Sequence, residues 1–284
     1  MGIGENKLSI GFKTAKSHRN LIKNNNKSDD MRFLILLIFF ISSFFTYAGN
    51  AQPLTIVRGN QSYPPYEIYQ PNKTLTGFHI ELINAVASDL GIAVEFKSLP
   101  WKRSVHMIEN GQADAITYFG KTVEREKFAI FKDGNVISHV NNSLFTKKEN
   151  CTQVACGSGL SPFSGYTLGK IHGYSYGDLI SENHWNKIDD RAKSEVHLIR
   201  KLLAGRIDIA IGEKQRIIYL AREEGILEQL FFIEPELQSI PQYLAFSKKS
   251  PNHHWAERFS KAMQAFIKTK TYQNIKQKYH IEAD

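Results

Sequence analysis

Arg125 and Glu213 are the charged residues whose settings point most directly to ligand chemistry. Arg125 follows Thr122, which is placed as a helix N-cap and puts the arginine at the third helical position. A cation there opposes the positive end of the helix by roughly 0.3–1 kcal/mol. The arrangement has a use if arginine and helix start together receive an anion, most simply a carboxylate gripped bidentately. The plainer account is a surface arginine paired with Glu124 or Glu126. Glu213 lies in the turn Gly212-Glu213-Lys214, where it would accept from an ammonium group or else be a solvated carboxylate beside Lys214. Tyr63 and Tyr66 flank Pro64-Pro65 and present rigid aromatic faces, Trp101 opens a helix after Pro100, and Tyr118 precedes the Thr122 turn. In Gly173-Tyr174-Ser175-Tyr176-Gly177, Ser175 and Tyr176 offer hydroxyls at a helix start. The chain has no Gly-x-Ser-x-Gly elbow, no phosphate loop and no His-Glu-x-x-His motif. These residues predict capture of a small polar solute without catalytic residues, metal or cofactor.

The background composition agrees with that class. The 284 residues are 42% hydrophobic and 23% charged, within the range of globular proteins. A net charge of +8 suggests a nucleic-acid partner until it is located: seven basic and three acidic residues fall in positions 1–51, leaving about +4 for the remainder. The same region carries an address. Met31-Arg32 precedes an uncharged apolar run over 33–47 and then Ala48-Gly49-Asn50-Ala51, the pattern of a secretory signal peptide. The run is shorter than the roughly 20 apolar residues of a spanning helix. Cleavage after Ala51 gives a mature chain from Gln52; cleavage after Ala48 and an uncleaved anchor are the other readings. Residues 1–30, polar and rich in Lys and Asn, read as a non-native or disordered extension before a start at Met31. Export to the periplasm then bears on Cys151 and Cys156, five apart in an oxidising compartment, as a local disulfide or as free thiols.

The elements that must position the candidate residues alternate. Leu54-Thr55-Ile56-Val57 reads as a strand, and the apolar residues from Ile80 to Leu90 recur at helical spacing before Gly91. Val94-Glu95-Phe96 is a strand, 101–110 a helix ended by Gly111, and 113–117 a strand. This rhythm predicts a parallel α/β sheet. The unit also recurs. Gly111-Gln112-Ala113-Asp114-Ala115-Ile116 and Gly205-Arg206-Ile207-Asp208-Ile209-Ala210 share helix end, glycine, two residues, aspartate and apolar strand, 94 positions apart. Two such units predict two lobes with separate sheets, and ligands of open parallel sheets bind beyond the carboxyl ends of the strands, where the candidate turns fall.

Taken together, Tyr63-Pro64-Pro65-Tyr66-Glu67, Gly77-Phe78-His79-Ile80-Glu81-Leu82, Trp101 through Asp114, Thr122-Val123-Glu124-Arg125, Gly205-Arg206-Ile207-Asp208 and the ending from Phe266 to Tyr279 resemble the family 3 solute-binding proteins of polar amino-acid ABC transporters. The likeness runs from about Leu54 to Tyr279, and its strength is the order and spacing of the motifs. It implies a two-lobed α/β protein of the type II periplasmic binding class, with two hinge crossings and closure on the ligand. The implied division is 52–140 for lobe 1, 141–247 for lobe 2, and 248–284 for C-terminal helices returning to lobe 1. The resemblance places Arg125 at the ligand α-carboxylate, Ser175 at the same carboxylate from the second lobe, and Tyr63 on the ligand side chain. Glu213 falls where the family usually has an aspartate for the α-ammonium, and the extra methylene shifts the carboxylate by about 1.5 Å. The stretch from Asp114 to Arg125 is also one residue short, with Tyr118-Phe119-Gly120 where small hydroxyl residues are common. Expected partners are a small polar solute carrying a carboxylate and an ABC permease, with the protein itself a monomer that binds no nucleic acid. An enzyme of dehydratase type on the same scaffold, and a sensory binding protein without a transporter, are the alternatives.

Overall fold

The computed structural model describes residues 52–151, 163, 165–174, 176, 180 and 185–281. The expected extension, signal peptide, Cys156 and Ser175 lie outside the described residues. Strand β1 (Leu54–Gly59) is β-branched and apolar, as a strand buried on both faces must be, and Ile56 and Val57 are essentially inaccessible. It pairs in parallel with β4 (Val94–Leu99) on one side and β5 (Ala115–Gly120) on the other. Between β1 and β4, the short β2 (Ile68–Tyr69) and β3 (Leu75–Thr76) form a hairpin, and helix α1 (Phe78–Asp89) follows. Its buried Phe78, Ile80, Leu82, Ile83, Val86 and Ala87 face the sheet. Gly77, at the N-cap of α1, has φ +121°, and a Cβ there would lie 2.3 Å from the Tyr66 carbonyl oxygen. The glycine lets α1 start directly over the Tyr63-to-Tyr66 turn, with Phe78 N–H donating to Pro65 O and His79 N–H to Tyr66 O.

Helix α2 (Trp101–Glu109) leads into β5, and the one-turn α3 (Val123–Glu126) leaves it for β6 (Ala129–Ile130). Strand β7 (Val136–Lys147) then runs out of this half of the molecule. The second half contains β8 (Thr167–Ile171), β9 (Lys187–Ala192), α4 (Glu195–Leu203), β10 (Ile209–Glu213) and α5 (Lys214–Glu223). Strand β11 (Leu230–Ser247) returns, and α6 (Trp255–Phe266) and α7 (Lys270–Lys278) close the chain on the first half.

The repeated Gly-x-x-Asp unit has a common structural role. The Asp114 carboxylate accepts from Thr55 N–H of β1 at 2.8 Å, and the Asp208 carboxylate accepts from Thr167 N–H of β8, also at 2.8 Å. In each copy the aspartate N–H donates back to the same threonine's carbonyl. Each aspartate therefore clamps the start of the strand parallel to its own, which explains the recurrence of the spacing.

Separate sheets are not found. Eight strands form one hydrogen-bonded path, β4-β1-β5-β11-β7-β10-β8-β9, with β6 attached to β11. The reason is that β7 and β11 are long enough to belong to both halves. β11 pairs with β5 through residues 242–246 and with β7 from Leu230 to Tyr243, and β7 pairs with β10 through residues 142–146. The shared pair keeps residues 52–284 in one compact unit. The apolar cores nevertheless divide. Residues 54–137 and 243–279 supply the clusters around Ile83, Phe246 and Phe259 and around Ile116 and Phe119. Those around Leu198 and Ile217 and around Leu168 and Ile209 draw on residues 144–233.

Candidate functional site

The Tyr63-to-Tyr66 turn is closed by Tyr66 N–H donating to Tyr63 O at 2.8 Å and Tyr63 N–H to Glu67 O at 2.6 Å. Behind it, Arg58 is fully buried. Its Nε donates to Glu67 Oε2 at 2.8 Å, Nη1 to Ser98 Oγ at 3.0 Å and Nη2 to Gln61 O at 2.6 Å. His79 of α1 packs beside Glu67 and places Nε2 2.9 Å from Ser138 Oγ on β7. Burial lowers the His79 pKa, which favours the neutral imidazole. This polar layer holds the turn rigidly against both α1 and the crossing strand.

In front of it the aromatic rings gather. Tyr66 stacks on His79 with centroids 4.8 Å apart, and the Tyr118 ring lies 5.7 Å from Tyr63, 5.6 Å from Tyr66 and 5.3 Å from His79. Tyr118 reaches them from within β5, where it adopts φ +54°, a left-handed conformation uncommon for a bulky residue. Backbone strain of this kind, typically 1–3 kcal/mol, is concentrated at functional sites.

Glu213 meets this cluster from the second half. Its carboxylate caps α5, accepting from Gln215 N–H at 3.3 Å and Arg216 N–H at 2.7 Å, and it also accepts from the Tyr66 hydroxyl at 3.1 Å. Burial pushes the Glu213 pKa up to about 7, against the opposing pull of Arg216 and the capping hydrogen bonds. Burial likewise raises the Tyr66 and Tyr118 hydroxyls well above the ordinary tyrosine value, so both remain proton donors. Glu213 is thus no solvated carboxylate, and Lys214 beside it bonds instead to Glu234 and Glu236 at 3.0 Å each.

Arg125 is also not the paired surface residue of the plainer reading. Among the described residues it makes no ion pair, and Glu126 is taken by Lys121 at 2.8 Å. The guanidinium lies over the Phe119 ring at 4.2 Å and beside Trp101 at 5.7 Å, and its Nη1 donates to Gly120 O at 2.6 Å. Thr122 accepts from Arg125 N–H at 3.2 Å, as an N-cap does. The helix it caps is only four residues long, too short to build a useful dipole, so any anion selectivity here belongs to the guanidinium. Trp101 is 39% exposed and forms an open shelf beside Arg125. Tyr176 is placed differently from Tyr63 and Tyr66. It packs in the second half's core, and its hydroxyl donates to Ile211 O at 3.4 Å. Cys151 is disulfide-bonded.

One residue at the site was absent from the sequence reading. Arg216 of α5 lies over the Tyr63 ring at 4.7 Å and pairs with Glu195 at 2.6 Å. The available signal was its position three residues after Glu213, one helical turn on the same face. A cavity of about 700 Å³ adjoins the site. Tyr66 and Glu213 border it, β7, α6 and α7 supply nearly half of its wall, and Tyr63, Tyr118, Arg125 and Arg216 do not line it. Tyr66 and Glu213 are thus the members of the cluster that reach the cavity.

The chain belongs to the bacterial extracellular solute-binding proteins, family 3, whose model matches residues 56–282. It is 24% identical over 244 residues to an arginine-binding periplasmic protein of Mannheimia haemolytica, covering 84% of this chain and 96% of that one. It is 23% identical over 228 residues to an arginine-binding extracellular protein of Bacillus subtilis (strain 168), covering 79% and 85%. In fold it matches the second substrate-binding domain of a putative amino acid ABC transporter from Streptococcus pneumoniae Canada MDR_19A. That match has a TM-score of 0.64 at 21% identity and covers 80% of this chain and 99% of the domain. Among the described residues no helix is long and apolar enough to cross a membrane.

Proposed function

We propose that the protein is an exported receptor that captures an amino-acid-like solute between two lobes and presents it to an ABC permease. The observation that carries the reading is the contact between Tyr66 of one half and Glu213 of the other, set within the aromatic cluster. Lobe 1 comprises 52–140 with the helices of 248–284, and lobe 2 comprises 141–247. Arg125, with no carboxylate partner among the described residues, receives the α-carboxylate. Ser175 adds a hydroxyl from the second lobe. Glu213 accepts from the α-ammonium, while Tyr63, Tyr118 and Trp101 cover the remainder of the solute. Binding supplies the free energy that holds the lobes together, since a solute contacting both favours the closed state by its differential affinity. The names of the arginine-binding relatives support the amino-acid class.

A thermal-shift screen of the purified protein against amino acids, amines and small carboxylates tests the reading. A zwitterionic amino acid is expected to raise Tm, with no product released on prolonged incubation. Turnover of the stabilising compound would move the protein to the enzyme class.

A further inference from the structure

Arg216 is buried, 7% exposed, yet incompletely satisfied. Glu195 holds one terminal nitrogen at 2.6 Å and the Tyr63 ring covers the guanidinium at 4.7 Å, while Nε is buried with no hydrogen-bond partner among the described residues. The charge acts on both sides of the junction. This positive charge favours the ionised form, and so pulls down, against the effect of burial, the pKa values of Tyr66 and Tyr118 in one half and of Tyr174, Tyr176 and Glu213 in the other. A buried N–H donor without an acceptor is a costly arrangement that a ligand oxygen relieves.

The charges at the junction also restrict what can fill it. Glu195 is engaged by Arg216, and Glu213 is engaged by the start of α5 and by Tyr66. With a solute's α-carboxylate on Arg125 and its α-ammonium on Glu213, neither Glu195 nor Glu213 is left for a cationic side chain. Such a side chain would instead meet the Arg216 guanidinium in a site of low dielectric, where like charges repel strongly.

We propose that Arg216 sets the specificity of the site, selecting solutes whose side chain ends in an acceptor oxygen, a carboxylate or carboxamide, and rejecting those that end in a cation. The proposal rests on the amino-acid reading of the site. It also separates this protein's solute from the one in its relatives' names.

Calorimetry on the full chain and on Arg216→Met decides it, with L-glutamate, L-glutamine, L-arginine and L-norvaline as probes. L-Norvaline ends in a methyl group where glutamate has its carboxylate. The wild-type protein is expected to bind L-glutamate or L-glutamine at least about 30-fold more tightly than L-norvaline, and L-arginine more weakly still. In Arg216→Met that preference should shrink to within about threefold, while the affinity for L-norvaline changes by less than about threefold. Equal weakening for all probes would show that Arg216 only braces α5 against α4, and would overturn the proposal. A wild-type preference for L-arginine would overturn it as well, leaving the amino-acid reading intact. Failure of all four probes to bind overturns the proposal, and the amino-acid reading falls with it only if the wider thermal-shift screen also finds no amino acid. If Arg216→Met does not fold, the wild-type ratios decide, and Arg216→Lys, which keeps the charge and loses Nε, should give an intermediate ratio.

Discussion

At the scale of single residues, the two charged groups found from the sequence make different predictions. Arg125 has a backbone acceptor and two aromatic neighbours but no anionic partner among the described residues, so its removal leaves no carboxylate of these residues unpaired. Arg125→Ala should therefore preserve the fold while weakening the solute by roughly 2–5 kcal/mol, or about 30- to several-thousand-fold in Kd by calorimetry. Arg125→Lys should recover part of this, because an ammonium lacks the planar fork. A change within about threefold for Arg125→Ala would remove the carboxylate role. Glu213 predicts a pH dependence. Its folded pKa of about 7 exceeds the ordinary glutamate value of 4.5, so the folded protein binds the proton more tightly than the unfolded chain. Its contribution to stability is fully present below about 4.5 and is lost as pH rises to about 7, a change on the order of 3 kcal/mol. Glu213→Gln should flatten the fall in Tm across that window. An ammonium-bearing solute needs the carboxylate, so its Kd should improve as pH rises through about 7 in the wild type and not in Glu213→Gln.

At the scale of elements, the sequence was most legible where a residue's role is local. The helix over 78–89, its end near Gly91 and the strands beginning at Leu54, Val94 and Ala115 follow from apolar spacing and glycine placement. The Gly-x-x-Asp repeat was legible as a pattern, but its cause was not. The clamp joins Asp114 to Thr55, 59 residues away, and Asp208 to Thr167, 41 away, and spacing along the chain does not reveal such partners. Asp114 also accepts from Ser250 Oγ at 2.5 Å and Asn252 Nδ2 at 3.1 Å, which ties the approach to α6 into the same point. Asp114→Ala should cost about 2–3 kcal/mol in urea unfolding, and Asp208→Ala less, because fewer partners are lost. Equal losses would mean that the clamp to the neighbouring strand is the whole effect. The same limit hid Arg216. Its Tyr63 neighbour is 153 positions earlier, and its place one turn after Glu213 puts it on the same helix face without marking it as buried.

At the scale of the molecule, the alternation of strand and helix led correctly to the mixed α/β fold but incorrectly to separate sheets. Strand lengths were the missing quantity. Residues 136–147 and 230–247 contain polar stretches such as His139-Val140-Asn141-Asn142 and Glu234-Pro235-Glu236, which interrupt any apolar alternation without ending the strands. The consequence of their continuity concerns the order in which the chain folds. The second core closes over residues 144–233, a contiguous stretch, whereas the first core needs Leu54 and Phe78 to meet Phe259, Met263 and Tyr279 across nearly the whole described length. Loop closure over the longer span is slower, so the core that begins later in the chain should form earlier in time. Pulse-labelling hydrogen exchange during refolding should find amides of β8, β10 and α5 protected before those of β1 and α1. The amino-terminal half then waits for the carboxy-terminal helices, and a nascent chain cut short before residue 255 should hold a folded middle beside an unfinished beginning.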